Sequence, residues 1–154
     1  MVGTTTVTLA NIGDKMYMRA TSAGNIGMGS SPTDNIYYRY NKFVMSGKIA
    51  ASGNVDTLLD QNGNATLTNY CYSYLFSDCT SLTQAPELPA TTLAESCYSN
   101  MFYGCKSLTT APELPATTLA NNCYEYMFNG CTSLTQAPEL HATTLANGCY
   151  KSMF

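Results

Sequence analysis

The residues best suited to chemistry are seven cysteines, at positions 71, 79, 97, 105, 123, 131 and 149. A thiolate can act as nucleophile, metal ligand or disulfide partner, so spacing decides which role is open. The gaps alternate between 8 and 18 residues, which makes the underlying period 26. An odd count cannot pair fully within one chain. The closer pairs have seven residues between them, whereas zinc knuckles usually have about two to four. The only histidine, His141, stands where other units carry Pro89 and Pro115, and it has no partner histidine for a metal site. A catalytic thiol needs a base beside it, and one histidine cannot serve cysteines that recur in every unit. The cysteines therefore read as small buried apolar side chains. No catalytic, cofactor-binding or metal-ligating residue is assigned.

Three other rows recur at the same period. Glu87, Glu113 and Glu139 would stack like charges; such a row can hold a cation, but carboxylates splayed into solvent are the simpler reading. Tyr72, Tyr98, Tyr124 and Tyr150 could stack on sugars. Each directly follows a cysteine, which places the row in the core or at its rim. Gln84, Thr110 and Gln136 fall in the extended segment of each unit. Repeat arrays commonly bind through such a surface, so these three are the candidate ligand-binding residues.

Composition narrows the partners. The chain has 154 residues, 45% apolar and only 11% charged, with net charge −3. That combination argues against disorder. Seven Lys and Arg against ten Asp and Glu leave no basic footprint, so nucleic acid is not expected as a partner. No run of eighteen apolar residues occurs, so no membrane span is expected. The opening MVGTTTVTLA lacks the basic and apolar regions of a signal peptide.

The elements that carry these rows come from the repeat. One unit is CTSLTQAPELPATTLAESCYSNMFYG, 79–104; the next covers 105–130, and a third, 131–154, stops mid-unit. CYSYLFSD, 71–78, supplies the second half of a forerunner. Leu93, Cys97, Met101, Phe102 and Cys105 fall at i, i+4, i+8, i+9 and i+12, which predicts a helix. Thr92 and Glu95 match a capping box, though Asn121 and Asn147 replace the glutamate in later units. Gly104 and Gly130, with Asp78 in the forerunner, are the expected stops. The following C-x-S-L-T-x-A-P predicts a brief strand, closed by Pro86, which has no N–H to donate. A single unit buries too little to offset the ordering of its backbone, so the units must stack.

Residues 1–65 contain no cysteine and no copy of the repeat. TTTVTLANIGDKMYMRA reads as a hairpin, with Val7 and Leu9 against Met16 and Met18. A Ser/Gly/Asn loop over 21–35 follows, then strands in IYYRY and NKFVMSGKIA, and NVDTLLDQNGN as a turn into the array. This segment is expected to be a β-rich N-terminal cap or the remnant of a β domain, with the array over 66–154 truncated mid-repeat.

F-x-G-C-x-S-L-T-x-A, the P-x-x-T-x-L crossing and the closing M-F resemble the BspA-like leucine-rich repeats of bacterial surface proteins. The likeness covers about 70–154 and recurs three times. The resemblance implies an α/β, leucine-rich-repeat-like right-handed solenoid, with a short parallel strand plus helix per turn. It also implies an extracellular or cell-surface location and adhesion to a protein or cell-surface ligand. The family's commoner unit is shorter, with I-x-I-P where this chain has Ala85 to Pro89, so a weaker strand is expected. The alternatives are a structural spacer or phage-tail-type receptor-binding part, or a carbohydrate-binding module using exposed tyrosines.

Two further expectations rest on helices. Cys97 and Cys105 would lie ~12 Å apart along a helix, and equivalents in stacked helices roughly 8–10 Å apart. Both exceed disulfide reach, so all seven thiols should be reduced. Cys149, Tyr150, Met153 and Phe154 would lack a following turn, so end-to-end self-association through that face, or a frayed last helix, is expected.

Overall fold

The computed structural model describes residues 7–11, 13–18 and 42–154. The loop over 21–35 and the strand over 36–40 lie outside the described residues. Of the expected hairpin, the described part holds a turn closed by Asp14 N–H on the Asn11 carbonyl at 3.2 Å. No strand forms there, and Val7, Leu9, Met16 and Met18 are exposed.

The helix expected in each unit is absent: the described residues contain no α-helix, only a 3-10 turn over Val55–Leu58. In its place runs a chain of overlapping turns. The N–H groups of Cys71, Ser73, Leu75, Ser77 and Cys79 each donate to the carbonyl three residues back. The N–H groups between them, on Tyr70, Tyr72, Tyr74, Phe76 and Asp78, reach forward to Glu95, Cys97, Ser99, Met101 and Tyr103 at 2.6–3.1 Å. The same pattern continues from Ser96 to Asn121, Tyr98 to Cys123 and Tyr124 to Cys149. Half of the backbone thus satisfies itself locally, as a helix would. The other half joins adjacent units, as a parallel ladder would.

A left-handed residue at every fourth position makes this possible. Positive φ occurs at Tyr70, Tyr74 and Asp78, then Ser96, Asn100 and Gly104, then Asn122, Tyr126 and Gly130. Each such residue ends the right-handed run before a helical ladder can propagate. The true spacing is therefore four residues, with Cys97 and Tyr98 inward, Met101 and Phe102 inward, then Cys105. A helix would have rotated Cys105 about 80° away from Cys97 over that distance.

Side chains stack in register with the backbone. Phe76, Phe102, Phe128 and Phe154 form one ladder with ring centroids 5.6–5.8 Å apart. Tyr72, Tyr98, Tyr124 and Tyr150 form a second, 5.6–5.9 Å apart and within 9° of parallel. Tyr72, Tyr98, Phe102, Tyr124 and Phe128 are fully buried, and burying a large apolar side chain contributes about 1.5–3 kcal/mol.

Segment 43–55 takes the place of a preceding unit. Phe43 lies 5.1 Å from Phe76 at the head of the phenylalanine ladder. The Cys79 thiol donates to the Phe43 carbonyl at 3.1 Å, as Cys105 does to Phe76 and Cys131 to Phe102. Strand β1, Ile49–Ala50, pairs in parallel with β2, Leu82–Gln84. Further along, Asn54 bridges Glu87. The offset here is 33 residues against 26 later. The extra seven fall after Val55, in the 3-10 turn and the turn that reaches Gly63. Residues 108–110 and 134–136, expected as strands, are not strands. On that side Leu82 and Leu108 join the units by burial.

Candidate interaction surfaces

Gln84, Thr110 and Gln136 are all exposed at equivalent positions. The carbonyl of Gln84 accepts from Ala51. Gln136 borders a cleft of about 290 Å³ beside Phe128, Leu134 and Phe154. Glu87, Glu113 and Glu139 are exposed as well, and no cluster of His, Cys, Asp or Glu among the described residues is arranged to hold a metal ion. His141 is exposed.

The tyrosine row following the cysteines is closed to ligands. Tyr72, Tyr98 and Tyr124 are no more than 1% exposed, and Tyr150 is partly buried. The Tyr72 hydroxyl donates to Asp56 Oδ1 at 2.9 Å. Burial raises the phenol of Tyr72, and the Asp56 carboxylate beside it adds to the shift. Burial likewise holds the Asp56 carboxyl above its ordinary range, against the opposing Tyr72 bond. The Tyr98 hydroxyl has no hydrogen-bond partner among the described residues.

All seven cysteines are buried and free. The separation expected from packed helices does not apply, because units held by direct backbone bonds are closer than packed helices. Burial pushes Cys79, Cys123 and Cys131 up to about 11, and raises Cys97 and Cys105 well above the ordinary thiol value. A neutral thiol enclosed in this way is a poor nucleophile and a poor metal ligand.

Sequence reasoning missed a second surface, on the turn side. A groove of about 730 Å³ runs across successive units, bordered by Tyr74, Asn100, Tyr103 and Tyr126, with Ser73 and Ser99 beneath. Lys42 pairs with Asp78 at 2.8 Å, which lowers the Asp78 carboxyl chiefly through that hydrogen bond. Lys151 pairs with Glu125 at 2.8 Å and lies 5.7 Å from the centre of the Tyr126 ring. Burial raises the Tyr74 phenol, and the nearby Glu125 and Tyr103 add to it. The signal for this surface lies in the columns of left-handed residues. Positions 96, 122 and 148 are Ser, Asn and Gly, and positions 78, 104 and 130 are Asp, Gly and Gly. Alternation of Gly with Asn or Asp at one repeat position marks positive φ.

No family model, curated protein or solved structure matches this chain. No helix among the described residues is long and apolar enough to cross a membrane.

Proposed function

We propose that the chain is a non-catalytic interaction module. In this reading it is a solenoid of the BspA-like leucine-rich-repeat kind that displays a repeated surface to a protein or cell-surface ligand outside the cell. The observation that carries the reading is the division of labour within each unit. The cysteines and the Tyr72, Tyr98, Tyr124 and Phe76, Phe102, Phe128 rows are enclosed as neutral packing groups, while Gln84, Thr110 and Gln136 recur in the open. A repeated polar row suits an extended partner and offers no catalytic base.

The test is adhesion of beads coated with the chain to epithelial cells and to immobilised extracellular-matrix proteins. The triple variant Gln84→Ala, Thr110→Ala, Gln136→Ala should lose adhesion while keeping its circular dichroism. Full adhesion by that variant would remove these residues from the contact surface. The unbroken aromatic ladders favour a second reading, a stiff structural spacer. A spacer would show no adhesion in either form.

A further inference from the structure

The groove on the turn side is lined by hydroxyl, amide and phenol groups. Among the described residues its lining contains no aliphatic side chain and no phenylalanine. An acyl chain would find only phenol rings to pack against among those residues. Both carboxylates in the lining are matched by lysines, Asp78 by Lys42 and Glu125 by Lys151. Among the described residues the groove therefore carries little net charge and has no unmatched cation for a phosphate or sulfate group. Its volume lies within the roughly 300–1,000 Å³ usual for small-ligand sites.

Backbone strain is concentrated in the same place. Among the described residues, eight other than glycine have positive φ, and all but Ser152 line this groove. Asn, Asp and Ser are tolerable there, but Tyr70, Tyr74 and Tyr126, at φ of 60°, 61° and 53°, are bulky residues in a conformation that favours glycine. One period on, Tyr70 is matched by Ser96, Asn122 and Gly148, and Tyr74 and Tyr126 by Asn100 and Ser152, so the fold itself does not require a ring at either position. Strain kept where an easier residue is available points to a role for the side chain.

We propose that this groove binds a neutral oligosaccharide. Tyr103 presents its ring face to the sugars, while Tyr74, Asn100, Asp78 and Glu125 border the path of their hydroxyl groups. Pyranose rings carry apolar C–H faces and hydroxyl edges, and a groove built of phenols, amides and paired carboxylates matches both. Tyr103 is 39% exposed, which leaves its ring open to a sugar face. The site is separate from the Gln84, Thr110 and Gln136 row and does not depend on that row binding anything.

Isothermal titration calorimetry on the whole chain tests the proposal, using neutral hexasaccharides of glucose, mannose, xylose and N-acetylglucosamine, with heparin hexasaccharide as the acidic control. At least one neutral hexasaccharide should bind, and heparin should not. Tyr103→Ala and Tyr74→Gly should each weaken binding at least about tenfold. Tyr74→Gly should leave the melting temperature equal or higher, because glycine relieves the left-handed strain. Tyr103→Phe, which keeps the ring, should retain binding, and the triple variant at Gln84, Thr110 and Gln136 should bind as the parent does. Absence of binding to every neutral hexasaccharide would overturn the proposal, as would preference for heparin. So would a Tyr74→Gly variant that binds normally, or one that loses binding only together with a large fall in melting temperature.

Discussion

Replacing Tyr98 with phenylalanine deletes one oxygen and keeps the ring in its stack, 5.6 Å from Tyr72 and 5.9 Å from Tyr124. That oxygen is buried without a partner among the described residues. An unmet buried hydroxyl costs about 1–3 kcal/mol in lost hydration. Tyr98→Phe should therefore raise the free energy of unfolding by about 1–2 kcal/mol, allowing for partial relaxation around the site. Tyr72→Phe removes the same atom from the equivalent position one unit earlier. There the hydroxyl donates to Asp56, whose carboxyl is only 3% exposed. Losing that donor should lower stability by about 1–3 kcal/mol. Differences in side-chain entropy and residue propensity largely cancel between the two sites, so opposite signs would isolate the hydrogen bond. Urea titration followed by circular dichroism measures both, with an unchanged slope showing that the unfolding reaction is the same. If Tyr98→Phe destabilises as much as Tyr72→Phe, the Tyr98 hydroxyl has a partner and the account of the ladder is wrong.

Phe102, fully buried between Phe76 and Phe128, should cost about 3–5 kcal/mol when changed to alanine, whereas Phe154, 56% exposed, should cost less than half as much. Glu113→Gln, at an exposed position, should be close to neutral in the same urea titrations, and a glutamate effect larger than that of Phe102→Ala would show that the row holds a ligand. The raised Asp56 carboxyl means that its contribution is fully present below about 3.8 and is lost as pH rises through its folded value. Asp56→Asn should accordingly stabilise the chain near neutral pH and flatten that part of the stability curve, which urea midpoints at several pH values would show. The thiols have the same sign at the other end of the scale. Stability from Cys79, Cys123 and Cys131 is complete below about 9 and lost as pH rises through about 11. Each contributes about 1–2 kcal/mol after solvent screening is allowed for. Thiolate absorbance should therefore appear together with unfolding, and its appearance in a still-folded chain would contradict the enclosure of these cysteines.

The period and the inward residues were legible in the sequence because chemical identity recurs: Cys, Tyr, Met and Phe return every 26 residues, and they are the residues that the units bury. The local backbone was not. Over the nine residues from Cys97 to Cys105, spacings of 3.6 and 4.0 place nearly the same positions inward, so apolar pattern alone cannot separate a helix from a run of turns. The distinguishing residues are Ser96, Asn100 and Gly104, whose equivalents interchange with Asn, Gly, Tyr and Asp. Their variability concealed their common conformation. The turn-side groove is hidden for the same reason: Tyr74, Asn100, Tyr126 and Ser152 share a position whose residue type changes from unit to unit. The offset of 33 between Phe43 and Phe76 hid the first rung, because a search at 26 passes over it.

That irregular first interval has a consequence for how such a chain can change over generations. Register is carried by the points where one unit meets the next, so a segment that bulges away between those points leaves the ladders undisturbed. Seven additional residues after Val55 were accommodated in this way, with Phe43 and Ile49 still meeting Phe76 and Leu82. Duplication of a whole unit preserves every contact, while insertion on the crossing side leaves them in place, as the seven residues after Val55 do. The turn run has no such latitude, since one residue gained or lost there would turn one member of every inward pair outward along the remainder of the run. Related chains should therefore differ in unit number and in crossing length, and agree to the residue between the first cysteine of each unit's turn run and its phenylalanine.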